Sequence, residues 1–152
     1  MVNGVIEGIA EALKREYPSY LVYVDKVEQE LNAPAFFIEN LGSTQEQKSD
    51  IRYWRKHSFE VHFFPLGENG ATQEIQDVAT RLFEVLEYIV LEELVYGKSC
   101  EGLIRGTGMN YKAVDGVLHF FVEYNFFVLK KVPEVPYMES LHREIKLRDG
   151  GI

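Results

Sequence analysis

The sequence predicts an α+β domain in which helices pack on a mostly antiparallel sheet. Three observations carry this. Residues 117–129 form the longest uninterrupted strand signal. Apolar residues recur at helical steps near the start and again after Thr72. The remaining strand signals follow one another across polar or glycine-marked breaks, as antiparallel neighbours do. The expected order is helix, three strands, helix, two strands and a short C-terminal helix.

The first helix places Val2, Ile6, Ile9, Ala10 and Leu13 on one stripe, with Asn3 as a candidate cap and Pro18 ending the run. A short strand starts at Leu21 and runs into the charged residues 25–30. A second strand, Ala35 to Leu41, is apolar on both faces near its start and is expected to end at Gly42. Residues 43–50, STQEQKSD, read as an exposed polar excursion that offers contacts. The third strand, Ile51 to Phe64, is basic and aromatic in its first half.

After the break at Pro65, Gly67, Asn69 and Gly70, Thr72 is a candidate cap for a helix expected to run to Leu94 and cover the sheet. A glycine-punctuated strand, Glu101 to Met109, then pairs across Asp115 and Gly116 with the long strand. Its glycines are devices for bending or bulging a sheet. In the long strand Leu118, Phe120, Val122, Tyr124, Phe126 and Val128 make one apolar row, and the opposite row is mixed. At about 3.3 Å per residue it runs roughly 43 Å, far enough to cross the domain and project from it. Residues 1–130 make a single domain, and 131–152 make an arm whose Tyr137, Met138, Leu141 and Ile145 form a helical stripe.

Composition restricts the partners. With 16 basic and 24 acidic residues the net charge is −8, which disfavours general attraction to nucleic acid or anionic membrane. Nine Tyr and ten Phe suit strands and interfaces. Cys100 is alone, so no internal disulfide framework exists, and a reducing compartment fits. No stretch is long and apolar enough to span a bilayer, and the N-terminus is unlike a signal peptide. Synthesis in a cytoplasm without membrane attachment is expected.

The residues point to no chemistry of catalysis. His57 and His62 fall on opposite faces of a strand, while His119 and His142 are distant along the chain, so no metal site is expected. Cys100 reads as an inert thiol. GLIRGTGMN lacks the ending of a phosphate loop and continues into a strand turn. No cofactor or catalytic residue is therefore expected. The acidic run Asp25, Glu28 and Glu30 reads as a solvated face. Arg52, Arg55 and Lys56 around Tyr53 and Trp54 suit an acidic protein surface or a solvated strand end better than DNA, given the net charge.

The segments FFIENLGSTQEQ, RYWRKHSFEVHFFP and LIRGTGMNYKAVDGVLHFFVEYNFFV resemble the tail terminator family of contractile-tailed phages and of phage-tail-like particles from Gram-positive, notably clostridial, bacteria. The resemblance covers roughly residues 1 to 130 and agrees with the expected order of elements. It implies a virion structural protein that forms a homo-oligomeric ring, usually a hexamer, on the head-proximal end of the tail tube. Such a ring ends tube polymerisation and joins the tail to the neck or head connector. The tail sheath is a further implied partner in contractile tails, and DNA passes through the lumen without sequence-specific binding.

The residues expected at protein interfaces are Gln45, Glu46, Gln47, Lys48, Tyr53, Trp54, Arg55, Phe121, Glu123 and Phe127, with Tyr137, Met138, Leu141 and Ile145 of the arm. Another neck or tail-completion protein with a similar fold is the nearest alternative. A small ligand-binding domain or enzyme, its site assembled from residues distant in sequence, is the alternative of a different class.

Overall fold

The computed structural model describes residues 2–24, 32–67, 71–95 and 98–129. The C-terminal arm and the acidic run 25–30 lie outside the described residues, as does the side chain of Cys100. The elements are α1 (Val2–Glu16), β1 (Leu21–Val24), β2 (Ala35–Gln47), β3 (Arg52–Phe64), α2 (Ala71–Val85), β4 (Tyr88–Val95), β5 (Lys98–Val114) and β6 (Val117–Leu129). The α+β class holds, and β6 spans the expected residues.

Several boundaries differ from expectation. The second helix stops at Val85, and residues 88–95 form β4. β2 does not end at Gly42 but continues through the polar residues to Gln47. Both helices begin one residue before their proposed caps, so Asn3 and Thr72 sit in the first turn, within the usual uncertainty of helix ends.

The strands form one sheet in the order β1-β2-β3-β6-β5-β4. β1 runs parallel to β2, and every other pair is antiparallel. α1 packs against β4 as well as β1 and β2. β1 and β4 are the two ends of the strand order. Six strands laid flat would hold these ends about 24 Å apart at about 4.8 Å per strand step, twice the diameter of a helix with its side chains. One helix touches both only because the sheet curls around it.

Gly106 in β5 shows how the curl is made. Residues 98–105 pair with β4, and Gly106 begins the pairing with β6. Its N–H donates to Glu87 O at 2.6 Å, and a Cβ here would meet Leu86 O at 2.5 Å. Only glycine fits where the strand changes partner beside the turn that follows α2. Gly8 does the same for α1, since a Cβ on it would lie 2.6 Å from Val90 O. The helix backbone therefore rests directly on β4.

The core lies between the concave face and the helices. α1 contributes Val5, Ile9 and Leu13, and α2 contributes Ile75, Val78, Ala79 and Leu82. The sheet answers with Phe36 and Ile38, with Phe59, Val61 and Phe63, and with Leu118, Phe120, Val122 and Tyr124. Pairings such as Phe36↔Phe63, Val61↔Phe120 and Phe63↔Leu118 set these side chains next to one another on a single face. The apolar row expected for β6 is thus buried as far as Tyr124, while Phe126 and Val128 extend beyond the helices and are only half-buried.

Candidate functional site

β2, β3 and β6 outrun the helices that cover them. Every residue from Glu39 to Gln47 is exposed, and β3 and β6 stay paired alongside as far as Arg52 and Leu129. The result is a three-stranded blade about 25 Å long, estimated from the rise per strand residue. β1 pairs only with Ala35 to Ile38, so no described strand flanks β2 along the blade.

A bulge gives the blade its faces. The β2–β3 register shifts between Asn40 and Gly42, where Asn40 Oδ1 accepts the Gly42 N–H at 3.0 Å. Beyond this point odd residues of β2, instead of even ones, share the helix-side face. Ser43 then faces His57, Gln45 faces Arg55, and Gln47 faces Tyr53. Arg55 Nε donates to Gln45 Oε1 at 3.0 Å. On the opposite side Trp54 and Phe127 pack with ring centroids 4.7 Å apart, and the Arg52 guanidinium lies 4.1 Å over the Phe127 ring. Phe127 remains 49% exposed even so.

Most of the interface residues expected from the sequence meet here. Gln45, Glu46, Gln47, Tyr53, Trp54, Arg55 and Phe127 are on the blade, and Lys48 is at its tip, its ammonium 3.0 Å from Glu46. Phe121 and Glu123 lie on the outer face of the body below it. Tyr137, Met138, Leu141 and Ile145 lie outside the described residues.

His57 marks the root of the blade on the helix side. It is 1% exposed, packed by the Phe126 ring at 5.1 Å, with Nδ1 2.6 Å from Ser43 Oγ. Its Nε2 is buried and has no hydrogen-bond partner among the described residues. Burial, and then the positive charge of Arg55, lowers its pKa. A neutral ring fits this place.

The outer face holds a grouping that the sequence reading missed. His62 and His119 are direct partners across β3 and β6, and Glu60 is two residues before His62 on the same face. Glu60 Oε2 is 2.6 Å from His62 Nε2 and 2.9 Å from His119 Nδ1, while Glu39 Oε1 is 3.1 Å from His62 Nε2. The expected opposition of His57 and His62 holds, but distance along the chain hid His119. The available signal was Glu-x-His on a strand, which places two donors on one side.

Elsewhere, an open cleft between the helices is lined by Tyr17, Tyr20, Gln73, Glu74, Asp77 and Val78. Burial, then Glu16, pushes the Tyr17 hydroxyl up to about 12, so it stays protonated at neutral pH. This cleft offers no nucleophile paired with a base.

No curated protein matches the chain. One solved structure aligns over 87% of this chain and 97% of its own at 13% identity, with a TM-score of 0.35, too distant to bear on function. The sequence model of a family described as phage tail terminator protein matches residues 4–136, from the first turn of α1 past the end of β6. The chain belongs to the phage tail terminator protein family and is a structural component of a phage-type tail.

Proposed function

We propose that this protein closes the head-proximal end of the tail tube as a hexameric ring, ends tube polymerisation and presents a surface to the neck or head connector. The observation that carries the reading is the blade, a three-stranded projection with no helix over its far end among the described residues. A closed ring needs two different surfaces on each subunit that meet by rotation. The blade, with Trp54 and Phe127 on one side and Gln45 and Arg55 on the other, supplies one. The curled body supplies the other. The net charge of −8 suits a lumen that repels DNA and lets it slide. The sequence resemblance favours contractile tails of Gram-positive hosts, where the sheath is a further partner.

The test is to inactivate the gene in a producing host and measure tails by electron microscopy. Tubes of uncontrolled length are expected. Tails of normal length joined to heads would overturn the reading, and normal tails lacking heads would place the protein in the neck instead. A tagged copy located at the baseplate end would also overturn it.

A further inference from the structure

We infer that Glu60, His62 and His119, joined by Glu39, form a binding site for a divalent transition-metal ion of the zinc class on the outer face of β2, β3 and β6. The donors converge because the strand register puts them together. His62 and His119 are direct partners, as are Glu39 and Glu60, and such pairs hold their Cβ atoms about 4.5–5.5 Å apart. Glu60, His62 and His119 offer three ligand atoms all within 4.8 Å of one another. An ion with bonds of about 2.0–2.2 Å spaces tetrahedral ligand atoms by roughly 3.4 Å. The observed 2.6 and 2.9 Å separations reach that value if the side chains open by less than about 1 Å.

Donor chemistry selects the ion. Two imidazoles with carboxylate oxygens suit zinc, cobalt or nickel, whereas calcium and magnesium prefer oxygen alone. Two carboxylates facing two neutral rings balance a dication. Binding requires the lone pairs of His62 Nε2 and His119 Nδ1, the atoms in contact with Glu60 Oε2, so when the ion binds each ring moves its hydrogen to the other nitrogen or releases it.

The setting is partly enclosed. The side chains of Glu60, His62 and His119 are 12%, 13% and 22% exposed, and that of Glu39, at 48%, lies on the solvent side where an ion enters. Phe37 and Phe64 pack on the His62 ring with centroids at 5.4 and 6.3 Å and hold its orientation. Lys112, the partner of His119 on β5, places its ammonium 5.7 Å from the centre of the Phe121 ring. An ion here would tie three central strands together at the root of the blade.

The experiment uses the full chain, stripped with chelator and titrated with Co²⁺. One equivalent should produce the visible bands of four-coordinate cobalt. Zn²⁺ at 100 times its Kd should then raise Tm by about 5–10 °C. H119Q and E60Q should each weaken binding at least about 100-fold, since altering outer partners of a metal ligand already costs 10–100-fold. H142Q, a change outside the proposed set, should bind normally. Should a variant fail to fold, the imidazole NMR signals of the unaltered protein decide. Those of His62 and His119 should move with Zn²⁺, and that of His57 should not. Cobalt bands that are absent, that survive both ligand substitutions, or that accompany shifts only at His57 or His142 would overturn the inference.

Discussion

The Tyr124 hydroxyl donates a 2.7 Å hydrogen bond to the carbonyl oxygen of Leu86, tying the middle of β6 to the turn between α2 and β4. Tyr124 is fully buried, and burial raises its pKa well above the usual phenol range. The Leu86 carbonyl lies where the helix has ended, so it needs a donor from elsewhere. Tyr124→Phe should keep the fold and lower stability by about 1–2 kcal/mol in urea unfolding. An unchanged midpoint would show that another donor serves that carbonyl.

Gly8 sets two effects against each other. Helix propensity alone predicts that Gly8→Ala stabilises α1 by about 1 kcal/mol. The new Cβ, however, would lie 2.6 Å from Val90 O and 3.1 Å from Ile89 Cδ1. A backbone atom cannot rotate aside, so we expect a net loss of about 1–3 kcal/mol. Thermal unfolding at equal concentration decides the sign.

His57 should make stability depend on pH. Its folded pKa lies below its ordinary value, so between the two values the unfolded chain binds more protons than the folded one. Its contribution is full above about pH 6.5, the unfolded value, and is lost as pH falls from there to the folded pKa. The unfolding free energy of wild type minus that of His57→Leu, measured from pH 8 to about pH 5, should fall as pH falls. Parallel curves would mean that His57 binds its proton equally well in both states.

The blade should separate folding from assembly. Trp54→Ala with Phe127→Ala removes a partly exposed cross-strand pair worth about 0.5–1.5 kcal/mol beyond its buried area. Circular dichroism should show a native fold with a slightly lower Tm, while tails assembled with the variant should lose length control. Tails of normal length would remove this surface from assembly.

The arm calls for a matching experiment. The described core runs from Val5 to Tyr124 without it. Deleting residues 133–152 should leave a cooperatively folding domain and weaken assembly. Loss of folding would show that Tyr137, Met138, Leu141 and Ile145 complete the core.

The sequence made β6 legible because one of its faces is buried and period two survives along it. It hid β4, because Leu86, Ile89 and Val90 continue the helical spacing of α2 and no Gly or Pro marks the turn at Glu87. A short apolar run is ambiguous between the two periods, and only packing separates Ile89, 1% exposed, from Val90, 40% exposed. The second half of β2 was hidden for another reason. Its polar residues have weak strand preference, and pairing with β3 overrides that preference. The blade residues were found as surface chemistry, whereas the His62–His119 contact depends on a strand register that spacing along the chain does not encode.

The extra residue at Leu41 acts as a phase shift written into β2. Ahead of it, Phe36 and Ile38 keep step with the core; after it, Ser43, Gln45 and Gln47 take the same side although their numbers have changed parity. Losing one residue just past it, such as Ser43, with the bulge kept, would turn Thr44 and Glu46 toward the helix side and leave Phe36 and Ile38 where they are. Insertions and deletions near the bulge can therefore rewrite what the projection shows to its neighbours while the hydrophobic interior remains unaltered. Within one continuous strand, the interior and the contact surface are free to change on separate schedules.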